Sequence, residues 1–204
     1  MRYRIYSSEA DDEPNSAGRV LKNKLHLTDP TDMNQAENQL LLRLYEALFQ
    51  PQFQVKQVSA KLLRRWHRMW LGALYEWAGQ IRTVHMSKDG FRFASVHLVP
   101  GLMAQYEQHY LSQYAQLPTY TSEQVIEFLA QSHVELILIH PFREGNGRLA
   151  RLLLDVMATQ AGFTPLDYSL WDQHKGYYVG AIHAGVMGDY GPMQRLVQDV
   201  LCEA

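Results

Sequence analysis

The stretch His140-Pro141-Phe142-Arg143-Glu144-Gly145-Asn146-Gly147-Arg148-Leu149-Ala150-Arg151 decides the reading of this chain. Proline disfavours helical geometry in the residue before it, so an upstream helix must end near His140. Gly145 and Gly147 then permit positive φ and a close backbone approach. A new helix starts around Asn146. Successive backbone N–H groups can converge into one concavity there, and the helix adds its positive N-terminal end, which together make an anion site. Arg148 lies in the first turn, with Arg151 three residues on along the same face. Two cations at a helix N-terminus oppose the helix dipole, and a bound polyphosphate offsets that repulsion. Glu144 puts one carboxylate at the rim. A lone carboxylate beside phosphates suits Mg2+, whose other positions are filled by waters and phosphate oxygens. His140 stands just before the loop, suited to taking a proton from an attacking hydroxyl near neutral pH. Phe142 is expected to point into the core and anchor the loop. These parts point to transfer from a nucleotide, with catalysis supplied by charge neutralisation and positioning.

Outward from this stretch the pattern is helical almost throughout. Toward the N-terminus, Thr121 and Gln124 form a capping-box pair ahead of Val125, Phe128, Leu129, Leu136 and Ile137. A helix follows Pro100 over about 100–115. Ser59 can cap a helix carrying Leu62, Leu63, Trp66, Met69, Trp70, Ala73, Leu74 and Trp77, with Gly79 placed to close it. Asp32 or Thr31 can cap another with Leu40, Leu41, Leu44, Tyr45 and Leu48 on its apolar face. Toward the C-terminus, the helix from Asn146 runs through Leu149, Leu152, Leu153, Val156 and Met157 to Gly162. Shorter helices are expected over 172–186 and 191–203. Residues 1–18 hold four acidic residues, Pro14 and Gly18, and read as a loosely held arm before a single domain over 19–204.

One stretch breaks the helical pattern. In residues 81–94, IRTVHMSKDGFRFA, two β-leaning runs flank Ser87-Lys88-Asp89-Gly90, and Asp-Gly is a hairpin-turn signal. An isolated hairpin is marginal in water, so this one must pack on the helical body or pair with another chain. The fold class is therefore all-α with one small β-hairpin.

Composition narrows the partners. The chain has 204 residues, 47% of them hydrophobic, enough for a packed core. Nineteen Lys plus Arg against 21 Asp plus Glu give a net charge of −2, which argues against a coat for nucleic acid. The single cysteine, Cys202, excludes an intramolecular disulfide framework and a Cys-rich zinc site. His133-Val134-Glu135 resembles the start of a zinc-deaminase signature, but the cysteines such a site needs are absent. No apolar run reaches the ~18 residues of a membrane span, and the polar, acidic N-terminus carries no secretory signal. A cytoplasmic setting is expected. Exposed Trp or Tyr on helix faces would permit a homodimer.

The segment HPFREGNGRLAR matches, at every specified position, the signature HxFx(D/E)GNGRxxR of Fic-domain proteins. YEWAGQIRTVHMSKDGFRFA resembles the Fic flap with its preceding helix, and LKNKLHLTDPTDMNQAEN the lead-in common in bacterial members. The resemblance covers roughly residues 20–200. It implies a Fic fold and a protein adenylyltransferase that moves AMP from ATP onto a Ser, Thr or Tyr hydroxyl and releases pyrophosphate, in a bacterial toxin or effector setting. It makes His140 the general base and Glu144 the Mg2+ ligand. Asn146, with the backbone of Gly145 and Gly147, would hold the α- and β-phosphates, and Arg148 and Arg151 the outer phosphates. The flap, 83–93, would align the target protein by main-chain pairing. Tyr178 is the candidate at the adenine, while Gly185 stands about where family members place an Asn. Many members carry an inhibitory (S/T)xxxE(G/N) helix whose Glu pairs with the second motif arginine, here Arg151. Glu37 precedes Asn38, but the residue four before it is Met33, not Ser or Thr; Glu123 has Thr119 four before it, but Gln124 follows. The expectation is therefore no built-in inhibitory helix, with any inhibitory Glu supplied to Arg151 by a small antitoxin-like partner. A Fic-fold transferase of another phosphate-containing group and a silent binding module are the alternatives.

Overall fold

The computed structural model describes residues 4–5, 11–50 and 55–201. Cys202 and most of the first ten residues lie outside them. The elements run β1 (Arg4–Ile5), α1 (Pro30–Leu48), α2 (Ala60–Leu71), β2 (Met86–Lys88), β3 (Phe91–Arg92), α3 (Val99–His109), α4 (Ser122–Ile139), α5 (Asn146–Gln160), α6 (Ser169–Gln173), α7 (Lys175–Gly185) and α8 (Gly191–Val200), with 3-10 turns at Val96–Leu98 and Leu111–Thr119. This is the helical body with a small antiparallel sheet that the periodicity called for.

Helix α4 is the central post. It packs against α3, α5, α7 and α8, and Val125, Leu129, Ala130 and Val134 along it are fully buried. Each fully buried Leu or Val contributes on the order of 1.5–3 kcal/mol relative to exposure. Its start is the expected capping box: Thr121 accepts from the Gln124 backbone and the Gln124 side chain accepts from the Thr121 backbone. Its end is also as expected. His140 turns into the left-handed region at φ 51, ψ 60, which breaks the helix one residue before Pro141. Gly145 does the same at φ 80 before α5 begins at Asn146. The anion loop is thus a short bridge between two left-handed residues.

Several helix ends differ from expectation. Asp29, not Thr31 or Asp32, caps α1, accepting from the Thr31 and Asp32 N–H groups; Pro30 fits the first helical position, so the helix begins two or three residues earlier. Helix α2 stops at Leu71 instead of running to Gly79. Gly79 has φ +78 and sits in a turn further on. A side chain there would lie 2.8 Å from the Arg64 carbonyl oxygen and from Arg68 Cβ, so only glycine lets the chain double back onto α2. The helix expected over 172–186 is two, broken at His174.

The hairpin forms where Asp-Gly predicted it. Asp89 and Gly90 both have positive φ, 50° and 87°, the requirement of a type I′ turn. Ser87 pairs with Arg92 and Lys88 with Phe91. Beyond expectation, the far edge of β2 carries β1, with Arg4 opposite Ser87 and Ile5 opposite Met86. Residues 11–18, read as part of a loose arm, are tied down: Asp12 bridges to Leu21, and buried Glu13 accepts from the Asn23 N–H at 2.9 Å. The local fold of an acidic turn onto its own downstream backbone outweighs its polarity.

Candidate active site

The motif residues converge at the junction of α4, α5 and the hairpin. Phe142 is fully buried, as its anchoring role requires. Asn146 spends both ends of its amide on one peptide: Oδ1 accepts from Phe142 N–H at 2.8 Å and Nδ2 donates to Phe142 O at 2.7 Å. Its contribution here is to hold the loop shut, which leaves the Asn146 to Arg148 backbone at the start of α5 to present N–H groups. Gly145 is wedged against α2, where a Cβ would sit 2.7 Å from the Trp70 ring. Gly147 faces open space and lines a cleft of about 200 Å³ together with His140, Tyr178, Lys88, Lys175, Phe91 and His183, among others.

His140 is oriented by its own helix end. Nδ1 lies 3.1 Å from the Ile137 carbonyl. A carbonyl can only accept, so the proton sits on Nδ1 and Nε2 is the basic nitrogen. Burial pulls the imidazole down to about 3, which keeps it neutral at physiological pH. The Phe93 ring of the flap stacks on it at 3.7 Å.

Arg82, which sequence reasoning passed over, holds the flap to this helix end. Its buried guanidinium donates to the carbonyls of His140, Val84 and Ala94, each at 2.6 Å, and to Ile139 at 3.3 Å. A cation at the negative end of α4 is favourable, and it satisfies carbonyls that the helix leaves over. The flap is further tied by Ala94 N–H to Leu138 O and Arg82 N–H to Pro141 O.

The two motif arginines are already engaged. Arg148 donates to Glu37 of α1 at 2.5 Å and lies 4.7 Å from the Trp70 ring centroid. Glu37 is itself buried, with Tyr75 OH donating to its other oxygen at 2.6 Å and Trp70 Nε1 donating to its carbonyl at 2.8 Å. The family spacing set Glu37 aside because Met33 stands where Ser or Thr is expected, yet the fold carries it to the motif. The contact is with Arg148, not Arg151. Arg151 instead pairs with Asp172 at 2.7 and 3.2 Å and lies among the rings of Tyr168, Trp171 and Tyr178. Glu37 had a legible signal in the adjacent Asn38; Arg82 had none beyond its place in the flap stretch.

Glu144 lies beside Arg148, at 3.9 Å, and its Oε1 accepts from the Gly145 N–H at 2.9 Å. Burial raises its pKa, with Glu37 adding to the rise. A half-buried carboxylate at the mouth of the loop fits one protein ligand of a hydrated divalent cation. Among the described residues no group of three or more His, Cys, Asp or Glu could hold a metal without such help. Tyr178 lines the cleft, but its hydroxyl is taken by His133 Nε2 at 2.8 Å and its ring stacks on Trp171. Gly185 is buried against Val134, where a Cβ would come within 2.2 Å, so it serves helix packing, not a base pocket. Among the described residues no helix is long and apolar enough to cross a membrane.

With this geometry in view, comparison with known proteins is direct. The Fic/DOC family model matches residues 57–158. A protein adenylyltransferase Fic of Nematostella vectensis is 43% identical over 72 residues, 35% of this chain and 16% of that protein. A protein adenylyltransferase fic-1 of Caenorhabditis elegans is 39% identical over 72 residues, again 35% of this chain and 14% of that protein. The matched stretch thus spans only about a sixth of these curated relatives' length. Among solved structures, the chain is similar to BepC, a VirB-translocated effector of Bartonella tribocorum with bound AMPPNP: TM-score 0.76, 25% identity, 90% of this chain and 93% of that one. The Fic domain of an effector from Bartonella sp. AR 15-3 superposes with a TM-score of 0.80 at 20% identity, over 97% of this chain and 95% of that one, a likeness of fold. The loop, the flap over the histidine and the matched family model agree, and the chain belongs to the Fic/DOC family.

Proposed function

We propose that this chain is a protein adenylyltransferase, which transfers AMP from ATP to a Ser, Thr or Tyr hydroxyl of a target protein. The observation that carries the reading is His140: its Nδ1 is committed to the Ile137 carbonyl, so Nε2 is the base, set beside the N-terminus of α5 and Gly147. The triphosphate lies on the Asn146–Arg148 backbone, where the α5 N-terminus favours anions. Arg148 and Arg151 are the cations for the outer phosphates. Glu144 would hold Mg2+, which when bound supplies charge neutralisation at the phosphates. The target hydroxyl gives its proton to His140 Nε2 as its oxygen bonds to the α-phosphorus. The bond from that phosphorus to the bridging oxygen breaks, and pyrophosphate leaves. Tyr178, with Val179, Ile182 and His183 of α7, faces the base.

The reading includes a restrained resting state. Glu37 occupies the guanidinium that an outer phosphate needs. Restraint therefore comes from within the chain, and an external antitoxin-like Glu is not needed for it. A target strand that pairs along the outer edge of β2 must displace β1. The test uses ATP labelled at the α- or the γ-phosphate. Label from α alone supports adenylylation, label from γ alone a kinase, and label from neither, even with Glu37 replaced, a binding role. A bacterial toxin- or effector-type setting is the companion proposal, read from the lead-in segment, and mass spectrometry of a treated bacterial lysate tests it through the target it identifies.

A further inference from the structure

We infer that His67 is a positioning residue that sets the Glu144 carboxylate and the anion loop. The inference rests on the Mg2+-nucleotide reading above. His67 lies on the apolar stripe of α2 with Leu63, Trp66 and Trp70 and has no exposed surface. Both its nitrogens are used. Nδ1 accepts the Gly79 N–H at 2.8 Å, so the proton is on Nε2, which lies 3.1 Å from the Glu144 carbonyl and donates to it. The ring stacks on Phe142 at 4.1 Å, 12° from parallel. His67 therefore grips the motif on both sides of Arg143, by the ring at Phe142 and by a hydrogen bond at Glu144.

Nothing else from α2 reaches that peptide by a hydrogen bond among the described residues. The next residue, Gly145, is fixed by steric contact with Trp70, and its N–H turns back to the Glu144 carboxylate. With its carbonyl held from below and its carboxylate held by the following amide, Glu144 has one orientation. An apolar residue at position 67 could fill the space, but it could neither accept from Gly79 nor donate to Glu144. A neutral histidine in one tautomer does both, and a glutamine amide can approximate it. The Gly79 turn that α2 was expected to end on is thus the other half of the same device. It delivers the amide that fixes the histidine's tautomer.

The test compares full-length chains carrying Glu37→Gln, so that Arg148 is released, with and without His67→Phe or His67→Gln. ADP affinity is measured with and without Mg2+. His67→Phe is expected to lose about tenfold of the affinity that Mg2+ adds, the scale seen when partners behind a metal ligand are removed, while Mg2+-free affinity stays the same. His67→Gln is expected to keep most of the gain. An equal loss with and without Mg2+, or no loss, overturns the inference and leaves the nucleotide reading standing. A reference chain that binds no ADP under either condition overturns both. Should His67→Phe fail to fold, imidazole 15N spectra of the reference chain decide. The proton must be on Nε2, and its resonance must move more with Mg2+ and ADP than with ADP alone; the other tautomer or an unmoved resonance overturns the inference.

Discussion

Arg148 and Glu37 meet at 2.5 Å across 111 positions of sequence, and under the proposed function the same guanidinium would serve an outer phosphate. One donor fork cannot serve both partners fully. On that proposal nucleotide binding and the docking of α1 on the motif oppose each other, and α1 is held in place at two further points, by Tyr75 at Glu37 and by Tyr45 OH at Asp155, 2.7 Å away.

Replacing Glu37 tests that opposition. A hydrogen bond to a charged group is worth about 1.5–3 kcal/mol, so Glu37→Gln is expected to raise α-label incorporation by the isolated chain about tenfold or more. Tyr75→Phe keeps the ring stacked on Trp77 and removes only the hydroxyl, so a smaller rise, about threefold, is expected from a single weaker restraint. Unchanged rates in both variants would remove α1 from the account.

His140→Ala removes the proposed base and leaves the Gly145–Arg148 loop in place. Transfer is expected to fall by at least about 100-fold with nucleotide affinity close to the parent, while the lost stacking on Phe93 and the lost bond to Ile137 lower thermal stability somewhat. Retained transfer would mean that another group takes the proton.

Acid should destabilise the fold through buried histidines. His67, His133 and His140 are pulled down from the usual 6.5 to about 4, 3 and 3 by burial. The folded values lie below the unfolded one, so the unfolded chain binds more protons as pH falls. The contribution is complete above about pH 6.5 and is lost progressively below it. Each such group contributes a slope of at most about 1.4 kcal/mol per pH unit. Glu144 and Asp155, whose values are raised by burial, act in the opposite direction at the acid end and offset part of the loss. Thermal melts between pH 7.5 and 5 check this; a Tm flat over that range contradicts it.

Arg82→Met should release the flap. Four carbonyls lose their donor, and leaving buried acceptors unsatisfied costs about 1–3 kcal/mol each before relaxation. A loss of about 3 kcal/mol overall is expected, with faster amide exchange over 86–93 by mass spectrometry while α4 and α5 stay protected. Exchange rising evenly across the chain would instead mark Arg82 as general core support.

Much of this molecule was legible along the chain because its signals are local. Pro141 after His140, glycine at 145 and the capping box at 121–124 each act within four residues, so the break in α4, the loop and the start of α5 could be read directly. Asp89-Gly90 likewise made the hairpin readable, since positive φ at two successive positions is a property of those residue types. Helix ends were less legible where a neighbour decided them: α2 carries apolar spacing past Leu71, but the chain leaves the helix and returns at Gly79 to meet His67.

What only the tertiary structure decided is which distant groups share a partner. Glu37 lacks the residue that the inhibitory pattern requires four positions earlier, yet the packing of α1 on α2 brings it to Arg148. Arg151, expected at the outer phosphates, also has Asp172, 21 positions on, as a partner within the chain. Nothing local marked Arg82 or His67; the end of α4 and the loop at Glu144 fold against them and give them their partners. The chain alone sets backbone geometry through the sterics of single residues and their near neighbours. Pairing across a hundred positions depends on where whole helices come to rest, and that is a sum over the entire core.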